Sequence, residues 1–293
     1  MKIDIFVLCK NEIKLAPFMI DYWNALADDI NVFVYDGLST DGTRELFAKY
    51  DYIHVIDFEP DALDDKQHQI LKNNCWKNSK ADFVMVCDFD ETIMSYDVKT
   101  LREKLQDMKD NGYSILLPMS FDIVADRFPE YQEGKFLHEL AEYGYNNYEW
   151  EAKAILFDPS KITEINYIPG GHFIRPQGEV NYCISDDMFL IHCKHIGFSY
   201  YKERIDNRIL SEWNIKNNLL GEKQLDNNNY MYLIKRFNEL TKKRFKFTDI
   251  KDNIDKYYAV YLDWSRWLGM TIYRNKFGQT YIARPFHNIE INI

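Results

Sequence analysis

The stretch FVMVCDFDET, Phe83 to Thr92, decides the fold. Its first residues form an unbroken run of strand formers, the pattern of a strand buried on both faces of a parallel sheet. The run stops at two aspartates one residue apart, Asp88 and Asp90. Ionised groups at the end of a buried strand must be paired, so a purely structural place for both acids is the weaker reading. Carboxylates at i and i+2 past a strand converge where the chain turns, and their hard oxygens suit Mg2+ or Mn2+.

Upstream, KIDIFVLC, a helix from Ile13 to about Ala27, NVFVYD, a helix opening at DGTRELFAKY and YIHVIDF read as β-α-β-α-β. A further helix is expected over Asp61 to Asn78, with Gln67, Leu71 and Trp76 on neighbouring turns. Strands alternating with helices predict an α/β fold with a mostly parallel sheet flanked by helices. The aspartates then sit at the carboxyl end of an inner strand, where open α/β sheets bind ligands. After Thr92 the spacing predicts a helix from about Asp97 to Asp110, a strand YSILLPMSFDIV, and an irregular aromatic segment from Arg127 to Trp150. Strand-like pieces follow at AKAILFD, INYIPGGHFI and MFLIHC. From Ser199 onward helices dominate: YYKERIDNRILSEWNIKNNLL, YMYLIKRFNELTKKRF and YYAVYLDWSRWLGM. No internal repeat or low-complexity tract interrupts the chain.

The 293 residues, 46% of them hydrophobic, suffice for one large domain or a domain with an appendage. The first residues are too short an apolar run for a signal peptide, and Asp or Lys breaks every later apolar run. A cytoplasmic protein is expected. Five cysteines, an odd number without a CxxC pair, read as reduced and mostly buried thiols. The net charge of −10 is uneven: residues 1–100 carry 10 Lys/Arg against 19 Asp/Glu, and residues 201–293 carry 17 against 11. An acidic front that meets a nucleotide diphosphate needs a divalent cation between the two. Two ordinary solvated faces explain the asymmetry equally simply.

Two turns flank the first two strands. DGLSTDGT, Asp36 to Thr43, follows the second strand, and an Asp at a strand end faces the crevice, where it can accept from a ribose or uracil donor. CKNE, Cys9 to Glu12, follows the first, placing Lys10, Asn11 and Glu12 at its mouth, where Asn can bond a base edge and Lys a phosphate. Helix caps explain each turn taken singly.

Two families use an aspartate pair of this kind. Haloacid-dehalogenase-like phosphatases carry DxDx(T/V), matched by Asp88 to Thr92, with Asp88 as nucleophile and Asp90 as acid/base. Ser120, Lys153 or Lys161, and Asp186 with Asp187 can be cast as later motifs. That family begins its domain with this strand, however, and here a β-α-β-α-β unit precedes it. CKNE, DGLSTDGT and CDFDE together, in this order, resemble the GT-A glycosyltransferases, and closest the family 2-like group with KNE, D-x-S-x-DGT and D-x-DE. The resemblance covers residues 1 to about 200. It implies a GT-A domain over 1–197, a helical extension over 198–293, and transfer of a sugar from a nucleotide-diphosphate donor.

By this resemblance Asp36 contacts the uracil or ribose, Asn11 and Asp41 shape the base pocket, Asp88 and Asp90 carry Mn2+ or Mg2+ on the diphosphate, and Glu91 buttresses them. GGHFIRPQG (Gly170 to Gly178) and LIHCKHIGFSYYKERI (Leu190 to Ile205) resemble later segments of the group. His192 is the first choice for a metal ligand there, His195 the second and His172 the third, although a lone His more often sits in a core or on a surface. Lys153, in WEAKAILFD, corresponds to a Lys that reaches a phosphate or sugar hydroxyl; a snorkelling strand-edge Lys is the plain alternative. An inverting transfer, favoured by the likeness, needs a carboxylate to take the acceptor proton. Asp122, Glu149, Glu151, Glu179, Asp186 and Asp187 are candidates, with Asp187 and Glu151 preferred because they adjoin segments expected to close the cleft.

The expected acceptor is a glycan or lipid-linked molecule, as for a surface polysaccharide, and the donor a UDP-sugar in preference to a GDP-sugar. IKRFNELTKKRFKF carries six Lys/Arg among aromatics, a composition suited to resting on an anionic membrane or to an ordinary basic helical face. The acidic sheet end and the overall charge argue against a nucleic-acid partner. A glycan-binding protein without catalysis is the remaining alternative on the same fold.

Overall fold

The computed structural model describes residues 1–59, 62–95, 98–146, 153–172, 174–222 and 229–247, with the backbone of two strands at 271–274 and 280–283. Strand β1 (Lys2–Cys9), helix α1 (Ala16–Leu26), β2 (Asp29–Asp36), α2 (Thr43–Phe47), β3 (Ile53–Asp57), α3 (Asp65–Asn74) and β4 (Phe83–Asp88) follow the predicted alternation. Then come β5 (Glu91–Met94), α4 (Val98–Asp110), β6 (Ile115–Ala125), α5 (Leu137–Ala141), β7 (Tyr143–Asn146), β8 (Leu156–Phe157), β9 (Ile162–Glu164), β10 (Gln177–Gly178) and β11 (Tyr182–Ile196). The remainder comprises α6 (Phe198–Asp206), α7 (Glu212–Lys216), α8 (Asn229–Lys243), β12 (Phe245–Lys246), β13 (Thr271–Arg274) and β14 (Thr280–Ala283).

Ten strands make one mixed sheet, ordered β12-β7-β6-β8-β4-β1-β2-β3, with β11 pairing both β5 and β6. The expected α/β class with a helix-flanked sheet is the observed one. Strands β1 to β4 are parallel. In β1, Ile3, Ile5, Val7 and Cys9 face the core beneath α1, whereas Phe6 faces the other core with Val84, Val86, Trp76 and Phe157. Both faces are therefore covered, as the unbroken apolar runs require. Helix α1 supplies Phe18, Met19, Tyr22, Trp23 and Leu26 to the larger core, each buried, at about 1.5–3 kcal/mol for a large apolar side chain.

Several predicted elements are cut short for visible reasons. Helix α3 starts at Asp65 because the Asp64 carboxylate caps it, accepting from Gln67 N–H at 3.0 Å. INYIPGGHFI forms no continuous strand, since Gly170 and Gly171 both take positive φ, 81° and 75°. The helix predicted from Tyr200 to Leu220 splits into α6 and α7. Leu63 takes the backbone between them, donating to Ile209 O at 2.7 Å and accepting from Ser211 N–H at 3.0 Å. The helix expected over Tyr257 to Met270 lies outside the described residues.

Beyond residue 197, where a helical extension is expected, the described residues include strands β12, β13 and β14 as well as helices, and those up to residue 247 pack against the sheet. Strand β12 pairs antiparallel with β7, Arg244 pairs with Asp126 at 2.8 Å, and α6 packs on α8 through Tyr201, Ile205, Leu233 and Phe237. Gly197, at the turn into α6, has φ 80°, and a Cβ there would lie 2.7 Å from Arg127 Cα. Among the described residues no helix is long and apolar enough to cross a membrane.

Candidate active site

Parallel register brings the strand ends into one row. Leu8 pairs with Asp88, Cys9 with Asp36, and Asp36 with Asp57. The turns after β1 and β2 are fastened to each other above this row. Asn11, at φ 54°, donates its N–H to Ser39 Oγ at 2.7 Å, and its Oδ1 accepts from Thr40 N–H at 2.8 Å. Glu12 N–H donates to Thr43 Oγ1 at 3.0 Å and Ile13 N–H to Asp41 Oδ2 at 3.0 Å. Asp36 is buried and accepts from Ser39 N–H and Oγ–H and from Arg44 Nη1. Asp36, Asn11 and Asp41 thus act on each other's turns, while Lys10 is exposed.

After β4 the chain turns at Phe89 and Asp90, and β5 leaves the parallel row to pair antiparallel with β11. The turn separates the two aspartates. Asp88 accepts from Lys72 Nζ at 2.7 Å and Lys153 Nζ at 3.0 Å. Asp90 accepts from Arg204 Nη1 at 2.6 Å and lies 3.3 Å from His192 Nε2. Burial pushes both carboxyls up, but the cations more than offset it, holding both well below the usual range. Glu91, fully buried, accepts from Lys153 at 2.5 Å and from Asp88 N–H at 3.0 Å. Burial raises its carboxyl despite Lys153. Its carboxylate thus ties Lys153 to the backbone of Asp88.

Arg204 comes from α6 and spans the cleft, its Nη2 reaching Glu12 Oε1 at 2.8 Å. Tyr200 OH donates to Glu12 Oε2 at 3.3 Å and its ring lies under the guanidinium, 5.5 Å away. Burial raises the Glu12 carboxyl to about 7, against the pull of Arg204 and with the push of Asp90. Behind Asp90, His192 Nδ1 is 3.2 Å from Asp122 Oδ1 and His195 Nδ1 is 3.4 Å from Asp122 Oδ2.

These positions sort the expected residues. Lys10, Asn11, Glu12, Asp36, Asp41, Asp88, Asp90, Lys153 and His192 all gather at the carboxyl end of the parallel strands. His172 belongs to the Gly170-Gly171 turn, which lies against the site: a Cβ on Gly171 would sit 3.7 Å from Lys72 Nζ. Asp187 does not join them. It lies in the irregular stretch of β11 before Phe189, itself three regular residues or roughly 10 Å from His192, and its carboxylate is held by Ser185 at 2.8 Å and Lys104 at 2.6 Å. Closeness in sequence to the cleft-closing segment misplaced it, because β11 leads away from the site on that side of His192. Glu179 is exposed beside the β9–β10 hairpin. Glu149, Glu151 and the side chain of Asp186 lie outside the described residues. Thr92, which completes the phosphatase signature, lines an apolar cavity with Phe18, Tyr22 and Ile191.

Two residues escaped the sequence reading. Lys72 is the buried member of α3, and its signal was available: it falls in the i, i+4, i+8 row with His68 and Trp76, on the face turned to the sheet. Arg204 was legible only as one of several basic residues in the closing helix. The oxygen donors for a divalent ion are of the right kind, two ionised carboxylates. Their oxygens are engaged by Lys72, Lys153 and Arg204, however, and among the described residues no group of three His, Cys, Asp or Glu side chains is arranged to hold a metal ion. Asp88, Asp90 and His192 are therefore not assembled here as a metal site.

No protein-family model matches the chain, and no curated protein does. Among solved structures it is similar to S. aureus TarS 1–349, at 13% identity over 97% of this chain and 96% of that chain, with a TM-score of 0.42. The same protein in complex with UDP-GlcNAc gives 14% identity, 97% of each chain and a TM-score of 0.41. The mannosyltransferase PcManGT from Pyrobaculum calidifontis, in complex with GDP-Man and Mn2+, gives 16% identity over 41% of this chain and 35% of that chain, with a TM-score of 0.32.

Proposed function

We propose that the chain is a glycosyltransferase that takes a sugar from a nucleotide-diphosphate donor, a UDP-sugar in preference to a GDP-sugar, and gives it to a glycan or lipid-linked acceptor. One observation carries the reading: CKNE, DGLSTDGT and CDFDE, distant in sequence, meet at one end of the sheet, with three basic side chains held on the acids there. A donor diphosphate is a dianion with one charge on each phosphate, for which Lys72, Lys153 and Arg204 are suitable partners, Arg204 as a fork and the lysines as point charges. Negative charge grows on the leaving nucleotide diphosphate as the glycosidic bond breaks, and preset cations stabilise it.

Metal dependence and inversion belong to this reading as proposals. Asp88 and Asp90 are the residues that would hold Mn2+ or Mg2+, whose chemistry is to neutralise the same leaving group. Asp187 is withdrawn as the acceptor base because of its distance, and Glu151 remains the candidate. The strands and helices from β1 to α3, which precede the Asp88 strand in the chain and build the sheet beside it, speak against the phosphatase reading, whose domain begins with that strand. Calorimetric titration with UDP and with GDP, each with and without Mn2+, tests the proposal. Binding of UDP is expected, strengthened by Mn2+ and weakened roughly 10-fold or more in Lys72→Met, by loss of a charge-assisted contact. Absence of binding by either nucleotide in the presence of Mn2+ would overturn it.

A further inference from the structure

Behind Asp90 the sheet buries an ionised carboxylate where the core needs none. Asp122 lies on β6 between Phe121 and Ile123, with no solvent exposure. Burial pushes its carboxyl up, and His192 and His195 pull it back below the usual range. A buried charge costs several kcal/mol unless its partners are well placed, so its two imidazole partners require a structural reason.

The reason lies in the register of β11. Residues three apart on a regular strand point to opposite faces, which would keep His192 and His195 apart. Between His192, paired with Asp122, and His195, paired with Val124, the pairing with β6 slips by one residue. The extra residue turns His195 back to the face of His192, and both rings meet the one carboxylate. Bulges of this kind re-aim side chains beside active sites. The result is a continuous chain: Asp90 Oδ2 to His192 Nε2 at 3.3 Å, His192 Nδ1 to Asp122 at 3.2 Å, Asp122 to His195 Nδ1 at 3.4 Å, and His195 Nε2 to Glu222 Oε1 at 3.9 Å. The His195 contacts are at ion-pair distance without hydrogen-bond alignment. Glu222, after α7, is also held by Lys194 at 3.1 Å and by Tyr201 OH at 3.2 Å.

We propose that Asp122 is a positioning residue of the donor site: it accepts the Nδ1–H of His192 and thereby aims Nε2 at Asp90. The proposal rests on the glycosyltransferase reading for what Asp90 then does. A carboxylate behind an imidazole fixes both the ring orientation and which nitrogen carries the proton. His195 and Glu222 brace the far side of Asp122, so the segment after α7 is tied to the site through the same chain.

Side-chain 15N spectra of the full chain test the first half without any turnover. They are expected to show a proton on His192 Nδ1, and a ring protonated on Nε2 alone would overturn the proposal. UDP affinity by calorimetry tests the second half. Asp122→Leu is expected to weaken UDP about 10-fold or more, Asp122→Asn, which keeps an acceptor for His192, by no more than about threefold, and Asp122→Leu by less than about twofold when added to His192→Gln. Losses that add in the double variant, or equal damage by Asn and Leu, would mean that Asp122 acts only as a structural ion and would overturn the proposal. Should Asp122→Leu not fold, Asp122→Asn and the wild-type spectra still decide. Should wild-type protein bind neither UDP nor GDP, the glycosyltransferase reading fails, and the His192 spectra alone decide whether Asp122 sets the ring.

Discussion

The two sides of the cleft are held together by different physics. On the β1–β2 side, the turns at 9–13 and 36–44 lock through backbone N–H groups donating to Ser39, Asp41 and Thr43, short-range bonds with Asp36 and Arg44 at their base. On the β11–α6 side, Arg204, His192, Asp122 and Glu12 are brought together by tertiary packing, from positions up to 192 residues apart, as charges. The first side resembles a pre-formed cradle, in which each bond contributes about 1 kcal/mol and several share the load. The second is a buried ion network, in which removing one partner strands another. Substitutions on the second side should therefore act on chemistry and pH response as well as on stability, and those on the first mainly on stability.

The largest effect is expected at Asp90, on which Arg204 and His192 of the second side converge. Asp90→Asn keeps the shape of the turn but leaves Arg204 and His192 facing a neutral amide. Donor turnover, measured as release of UDP from UDP-sugars, should fall on the order of 10²–10³-fold, with an unchanged far-UV circular dichroism spectrum. Full activity in this variant would remove Asp90 from the site and with it the distinction between the sides.

Glu12 sharpens the comparison because it belongs to both, its N–H in the cradle and its carboxylate on Arg204. Its raised carboxyl, about 7 against an ordinary 4.5, has a definite sign. The folded state holds the proton more tightly, so the stability Glu12 contributes is complete below about pH 4.5 and is lost as pH rises through about 7. Glu12→Gln does not titrate. Its stability relative to wild type should rise by about 2–3 kcal/mol between pH 5 and pH 8, read by chemical denaturation at both values. Asp88, Asp90 and Asp122, held low, change charge below this window. The His68 ring, lowered to about 4 by burial, is common to both proteins and cancels. A gap that stays constant with pH would show that Glu12 is ionised throughout.

The same contrast explains what could be read from the sequence. Strands β1 and β4 were legible because both faces are buried, so their runs are almost wholly apolar, and motifs at the strand ends need only parallel pairing to meet. Asp36 and Asp88 flank the end of β1 for that reason alone. Lys153 and His192 were found through likeness to a family, and Arg204 only as one basic residue among several. Nothing in the local pattern of GFSYYKERI says which basic side chain crosses to Asp90; that is settled by the packing of Tyr200 and Tyr201 under α6. Asp187 was misplaced because a fifteen-residue strand carries residues near in sequence far apart in space. The pairing of His192 and His195 on Asp122 was hidden altogether, since regular alternation assigns the rings to opposite faces and a bulge leaves no mark on composition.

The smallest effect is expected at the exposed rim of the cradle, at Asp41. Its carboxylate accepts from Ile13 N–H at 3.0 Å, Thr43 N–H at 3.1 Å and Thr43 Oγ1 at 2.5 Å, so it caps the start of α2 and ties it to the turn after β1. Asp41→Ala removes these acceptors from a part-buried site where water can replace some of them, and a lost cap of this kind costs about 1 kcal/mol. The melting temperature should fall by roughly 2–4 °C for a chain of this size. UDP affinity should fall less than in Lys72→Met, because Asn11 is still held by Ser39 and Thr40 and the Asp36–Ser39–Arg44 cluster does not involve Asp41. The reverse order, with Asp41→Ala damaging UDP binding more than Lys72→Met while leaving the melting temperature unchanged, would make Asp41 a direct contact of the nucleotide. The β1–β2 turns would then be a recognition surface in their own right.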